Sequence, residues 1–126
     1  MNLIFYGYIG NGAIKKVQNA IKEVVSEKQI EHYHTIESFS IRLRQYSEQA
    51  PIALVLASNR QELLKIVAIQ DLLFGISIIL ILPDATDQTI SMGHKLHPRF
   101  LSYLDSDFKD VATVLTNMIE GRSNAK

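Results

Sequence analysis

The chain contains no cysteine among its 126 residues. Disulfide bonds, thiolate metal sites and cysteine nucleophiles are therefore excluded. Aspartate is missing from the first half of the chain as well, and the first one in the sequence is Asp71. A reaction that requires an aspartate after one of the early strands is consequently excluded.

Neither sign of charge dominates, because 13 Lys and Arg residues balance 13 Asp and Glu residues. A net charge of zero provides no field to attract nucleic acid or an anionic membrane, so we expect neither as a partner. The longest apolar stretch, residues 76–83, is far shorter than a membrane span and contains Ser77. No basic leader precedes the first apolar run, so we predict no signal peptide and a cytoplasmic location.

Five short apolar runs alternate with five helical patterns along the chain, which predicts a parallel sheet with helices on both faces. The length of 126 residues fits one domain that buries about two-thirds of its unfolded surface. We predict one α/β domain over residues 1–121 and a flexible tail over residues 122–126. The predicted strands are 3–6, 30–34, 52–56, 76–82 and 100–104, of which the second is polar enough to lie at an edge.

Local signals mark several helix boundaries. Thr35 is predicted to cap the second helix, whose buried stripe comprises Ile36, Phe39, Leu43 and Tyr46. Asn59, with Glu62 three residues later, has the form of a third helix start. The fourth helix, at about 87–97, is expected to be marginal because Gly93 lies inside it. The fifth is predicted from near residue 107 to residue 119.

The third helix is predicted to continue to Phe74 and to end at a left-handed Gly75. Its apolar residues point to every side rather than forming one stripe. Such a helix is either buried on both sides or covered by a partner. We therefore predict an interaction surface on this helix that includes Ile69, Leu72 and Leu73.

The order and spacing of these elements resemble the receiver domain of two-component signalling over residues 2–121, and the run 100–108 is similar to the family's last strand. The resemblance implies a three-layer, doubly wound, flavodoxin-like domain with five parallel strands in the order 2-1-3-4-5. In that family, two acids after strand one hold Mg²⁺, and an aspartate ending strand three accepts the phosphoryl group. Here those positions fall on Gly7 and Tyr8, and on Ala57 or Ser58.

The remaining family positions depart from the pattern in the same way. The family's hydroxyl at the end of strand four falls on Leu82 or Pro83, and its lysine on Tyr103 or Ser106. Because Mg²⁺ needs carboxylate oxygens, the chain resembles a pseudo-receiver that has lost aspartyl-phosphate chemistry. The family often switches by moving an aromatic side chain near strand five, so Tyr103 is either such a switch or a residue that packs the sheet against a helix.

A second candidate site lies where open α/β sheets bind ligands, at the carboxyl ends of the strands. Gly10, Asn11 and Gly12, with Ser58 and Asn59, offer backbone amides and side chains to a nucleotide-like or flavin-like anion. The alternative interpretation is a simple turn that needs positive φ at Asn11 and Gly12.

The sequence contains no recognisable catalytic constellation. Ser58 lacks the flanking glycines of a nucleophile elbow. The pair His32 and His34 and the pair His94 and His97 each lack a third ligand at useful spacing, so we predict no metal site and no cofactor.

These patterns favour a non-catalytic, receiver-like module that binds another protein. A homodimer through the third helix, or through the side formed by the fourth and fifth helices, is one version of this hypothesis. The alternative is the small-anion-binding domain described above.

Overall fold

The five apolar runs form the five strands of one sheet. The computed structural model describes residues 2–8, 12–45 and 51–124. The strands are β1 (Leu3–Tyr6), β2 (Ile30–Tyr33), β3 (Ile52–Leu56), β4 (Ser77–Leu82) and β5 (Phe100–Tyr103). The α-helices of the described residues are α1 (Ala13–Ile21), α2 (Ile36–Leu43), α3 (Arg60–Ala68), α4 (Asp87–His94) and α5 (Lys109–Asn124).

The sheet has the order β2-β1-β3-β4-β5, and all of its pairs are parallel. Leu3 lies opposite Ile30 on one side and Ile52 on the other. The predicted strand order is therefore confirmed, and the domain has the flavodoxin-like α/β fold. β1 and β3 are completely buried, whereas every residue of β2 is only partly covered. The prediction that the polar second strand lies at an edge is also confirmed.

Alternation of side chains along the strands divides the core into two layers. Leu3 and Phe5 pack on one face with residues of α1 and α5. Ile4 and Tyr6 pack on the other face with residues of α2 and α3, and with Leu96, which follows α4. The helices of each layer bury their apolar side chains against nearly continuous apolar strands, as expected for a parallel sheet covered on both sides.

Two predicted helix caps are confirmed. Oγ1 of Thr35 accepts a hydrogen bond of 3.1 Å from the backbone amide of Ser38 at the start of α2. Oδ1 of Asn59 accepts one of 2.8 Å from the amide of Glu62 at the start of α3. In α2, Phe39 is fully buried, whereas Tyr46, predicted to join the same stripe, lies outside the described residues.

The prediction that α3 continues to Phe74 is wrong. The α-helix ends at Ala68, and residues Gln70–Leu73 form a 3₁₀ helix. The tighter winding brings Leu73 into the core. Gly75 has the predicted positive φ, 81°, but it belongs to a turn that follows the 3₁₀ helix rather than to an α-helix cap.

Two other helix ends also differ from the predictions. α4 ends at His94 rather than at residue 97. A Cβ atom at Gly93 would lie 3.1 Å from Leu82 and 3.2 Å from Leu80, so this glycine allows α4 to approach β4 closely. α5 continues to Asn124, so residues 122–124 of the predicted tail are helical, and residues 125–126 lie outside the described part of the chain. No helix among the described residues is long and apolar enough to cross a bilayer.

Candidate functional site at the carboxyl edge of the sheet

The carboxyl ends of β1 and β3 lie side by side in the middle of the sheet. Their first residues beyond the strands, Gly7 and Ala57, are both buried. The amide of Gly7 donates to the carbonyl of Tyr33 at 3.1 Å, and the amide of Ala57 donates to the carbonyl of Ile81 at 3.0 Å. The hydrogen bonding of the sheet thus extends one residue past β1 and past β3, at the positions where a receiver would carry its acids.

A carboxylate from α3 reaches the last residue of β1. Oη of Tyr6 donates a hydrogen bond of 2.8 Å to Oε1 of Glu62. Nζ of Lys65 lies 3.5 Å from Oε2 of the same carboxylate. Burial and this contact with Glu62 raise the pKa of Tyr6 well above its ordinary range. Glu62 is therefore engaged by a phenol and an ammonium group. The sequence pattern identified Glu62 only as part of a helix start and missed its contact with Tyr6.

Arg60, the first residue of α3, bridges to the start of α4. Its Nε donates to Oγ1 of Thr89 at 3.1 Å and its Nη1 to Oε1 of Gln88 at 2.9 Å. Its Nη2 donates to Oγ1 of Thr86 at 2.8 Å, and its Nε lies 3.7 Å from Oδ2 of Asp84. We call these five residues the Arg60 cluster.

Asp84 is the acid that follows β4, and its carboxylate is engaged in contacts within the protein. Oδ1 accepts from the amide of Thr86 at 3.0 Å and from its hydroxyl at 2.8 Å. Hydrogen bonding to Thr89 and Thr86, with the nearby guanidinium of Arg60, holds the pKa of Asp84 below its ordinary value. Asp84 is therefore ionised at neutral pH and already has a cationic neighbour.

The predicted ligand-binding residues are only partly described. Gly10 and Asn11 lie outside the described residues. Gly12 precedes α1 with φ −61°, so the alternative interpretation of a turn with positive φ is wrong for Gly12. Oδ1 of Asn59 is occupied as the cap of α3. Oγ of Ser58 is buried without a hydrogen-bond partner among the described residues.

The predicted interaction residues differ in how they are buried. Ile69 and Leu72 are partly exposed, but Leu73 is only 3% exposed and belongs to the second core layer. Leu73 is therefore wrongly assigned to a surface. Tyr103 ends β5 and packs, half-buried, against the same layer. Phe74, by contrast, is 90% exposed.

The two histidine pairs have different environments. The rings of His32 and His34 lie 4.8 Å apart, and His32 also stacks on Phe5 at 4.6 Å. His94 ends α4, and His97 lies beyond the helix with φ 50°. No group of three His, Asp or Glu side chains suited to a metal ion occurs within the described ranges.

No protein-family model, curated protein or solved structure significantly matches the chain. The strand order and the two helix layers define the class to which it belongs, the flavodoxin-like α/β domains.

Proposed function

We propose that this chain is a receiver-like module that does not accept a phosphoryl group and that acts by binding another protein. The observation that carries the proposal is the identity of the residues at the carboxyl edge of the sheet. The positions that correspond to the acids of a receiver are Gly7, Tyr8, Ala57 and Ser58, and none of them supplies a carboxylate. A hard divalent cation has no carboxylate oxygen at these positions.

The acids nearest this edge support the same proposal. Glu62 is bonded to Tyr6 and Lys65, and Asp84 is bonded within the Arg60 cluster. Recruiting Glu62 for a metal would leave the buried phenol of Tyr6 without its partner, at a cost of about 1–3 kcal/mol. Recruiting Asp84 would break its contacts with Thr86 and Arg60. Intramolecular contacts thus replace the metal and phosphoryl contacts of an active receiver.

This arrangement implies a module with one permanent state. In an active receiver, phosphorylation selects a conformation of the helices beside the last two strands. Here the guanidinium of Arg60 already ties α3 to the start of α4 through three hydrogen bonds. A partner would therefore recognise a surface that needs no phosphoryl transfer to form.

Exposure to beryllofluoride and Mg²⁺ tests the first half of the proposal. We expect the amide resonances of residues 57–60, 82 and 84–86 to stay unchanged, because no carboxylate is available to the adduct. A phosphorylatable receiver domain treated in the same way is the positive control. Adduct-dependent shifts in these two segments, or an acyl phosphate formed from a small phosphodonor, would refute the proposal.

Affinity capture from the source cells, followed by binding measurements with the purified candidate, tests the second half of the proposal, that the chain binds another protein.

A small-anion-binding domain is the second candidate, and one observation favours it. Oγ of Ser58 is buried without a partner among the described residues, next to the start of α3. A panel of nucleotides, flavins and phosphate in thermal unfolding separates the two functions, since a ligand of the native state raises the melting temperature. The leading proposal expects no shift with any of them. A shift that disappears in Ser58→Ala but persists in the matched control Ser38→Ala would favour the second candidate.

A further inference from the structure

Phe74 is displayed at the tip of a tight turn. The amide of Ile76 donates to the carbonyl of Leu73 at 3.1 Å, and this bond closes the turn. Phe74 has φ −59° and ψ 131°, and Gly75 has φ 81°, which together define a type II turn. The phenyl ring is 90% exposed. The turn that this hydrogen bond closes, just before β4, therefore keeps a large apolar side chain exposed to solvent.

A recess lies beside this turn, at the amino edge of the sheet and away from the carboxyl edge described above. Its volume is about 240 Å³, and Leu73, Phe74, Ile76 and Leu96 are the apolar residues that line it. Small-molecule sites occupy roughly 300–1,000 Å³, so this recess is closer in size to one or two side chains. An apolar side chain is the occupant that its size and lining favour.

Charges of both signs surround the recess. Asp71, which belongs to the 3₁₀ helix, lines the recess together with Lys95 and His97, which follow α4. All three side chains are exposed. A rim with both signs allows a self-complementary contact, since a twofold axis can bring Asp71 of one chain against Lys95 of the other. The net charge of zero adds no general repulsion between two copies.

We propose that this surface is a homodimer contact in which Phe74 of each chain enters the recess of the other, with Asp71 of each chain paired with Lys95 of the other. The inference rests on the proposed protein-binding function and names a second copy of the chain as the partner. An isologous contact satisfies both features at once, since each chain supplies one exposed ring and one recess. Two aromatic rings and two ion pairs make a small interface, so the dimer is expected to be weak and concentration-dependent.

Sedimentation equilibrium on the full chain, from about 10 µM to about 1 mM, tests the dimer in the range where small transient interfaces associate. We expect Phe74→Ala to weaken association about tenfold or more, because the ring is the central anchor. Leu64→Ala is the matched control, since Leu64 is also exposed, at 54%, but does not line the recess. A wild-type chain that stays monomeric throughout, or a Phe74→Ala variant that dimerises normally, would overturn the inference.

A charge exchange tests the twofold geometry without touching the ring. Asp71→Lys and Lys95→Asp should each weaken self-association, because each variant faces like charges across the axis. An equimolar mixture of the two should form a heterodimer, because one ion pair then keeps its original sign and the other is restored with reversed sign. A mixture that remains monomeric while wild type dimerises would overturn the pairing.

The two proposals fail in different ways. A monomeric chain that still binds a different protein, through Phe74 or elsewhere, would overturn the homodimer and leave the proposed function intact. A dimer that also accepts beryllofluoride would overturn the non-phosphorylated module and leave the dimer contact intact.

Discussion

The phenol of Tyr6 and the carboxylate of Glu62 join the end of β1 to the first turn of α3 through a hydrogen bond of 2.8 Å. The ring of Tyr6 also stacks on Phe39, with centroids 4.8 Å apart. A buried tyrosine needs a polar partner for its hydroxyl, and here α3 supplies it. The same contact occupies a carboxylate at the edge where a receiver would bind Mg²⁺.

Tyr6→Phe is expected to lower the free energy of unfolding by about 1–2 kcal/mol, because it removes a hydrogen bond to a charged acceptor. Urea unfolding at neutral pH measures the loss. Tyr8→Phe is the control, since the Tyr8 side chain is 58% exposed. Equal stability of Tyr6→Phe and Tyr8→Phe would show that the bond contributes nothing.

The same residue predicts a weakening at alkaline pH. Burial, and then the hydrogen bond to Glu62, raise the pKa of Tyr6 above its ordinary value of 10.0. The unfolded chain therefore loses this proton first, so the stabilisation is complete below pH 10 and is lost as the pH rises further. Wild type should lose stability above this pH more steeply than Tyr6→Phe. Parallel urea-unfolding profiles of the two proteins would contradict the assignment.

The edge strand β2 depends on an ion pair with α2. Arg42 donates from Nε to Oε1 of Glu31 at 2.6 Å and from Nη2 to Oε2 at 3.3 Å. Arg42→Met should cost about 1–2 kcal/mol in urea unfolding, because Glu31 loses its charged donor while remaining partly buried. Arg44→Met, at an exposed position just beyond the same helix, should cost almost nothing.

Low pH should break the same ion pair between Glu31 and Arg42. The hydrogen bond from Arg42, followed by those from Tyr33 and Asn2, lowers the pKa of Glu31 from 4.5 to about 2. The stabilisation is therefore present above pH 4.5 and is lost as the pH falls from 4.5 towards 2. In Arg42→Met, this part of the acid dependence should flatten. An unchanged acid profile would mean that Arg42 does not set the pKa of Glu31.

His32 predicts a second acid dependence at milder pH. Burial, and then the charge of His34, lower the pKa of His32 below its ordinary value of 6.5. The folded state therefore resists protonation, so stability is full above pH 6.5 and declines as the pH falls below that value. His32→Phe keeps an aromatic ring against Phe5 and should reduce the decline in stability below pH 6.5. His94→Gln, at an exposed position of α4, is the control.

The parts of the fold that were predicted correctly depend on local or periodic signals. Continuous apolar runs marked the central strands, polar residues marked β2 as an edge, and Thr35 and Asn59 lie next to the helices they cap. The end of α3 was predicted incorrectly because no glycine or proline separates Ala68 from Leu73. Only the packing of Leu73 into the core distinguishes the 3₁₀ segment from a longer helix.

The candidate site was harder to predict for the same physical reason. The absence of acids after β1 and β3 is visible in the sequence, but the groups that replace them come from distant positions. Tyr6 and Glu62 are 56 residues apart, and Arg60 and Thr89 are 29 apart. Such contacts leave no periodic pattern, so they become visible only when the helices are placed on the sheet.

Arg60 should control the local stability of α4 more than the stability of the whole domain. Its side chain is 43% exposed, so Arg60→Ala is expected to cost less than about 1 kcal/mol in urea unfolding. The variant should nevertheless exchange the amide hydrogens of Asp87–His94 faster, because α4 is short and loses three bonds to α3. Gln61→Ala, at an exposed neighbouring position, is the matched control for hydrogen-exchange mass spectrometry.

Arg60→Lys distinguishes geometry from charge in the same experiment. Three guanidinium nitrogens serve the separate side chains of Thr86, Gln88 and Thr89, and a single ammonium group does not reproduce that fork. The amide hydrogens of α4 should therefore exchange almost as fast in Arg60→Lys as in Arg60→Ala. If the amide hydrogens of α4 stay fully protected in Arg60→Lys, a positive charge beside Asp84 is sufficient. If they stay fully protected in Arg60→Ala, packing on Leu80 and Leu82 holds α4 without the Arg60 cluster.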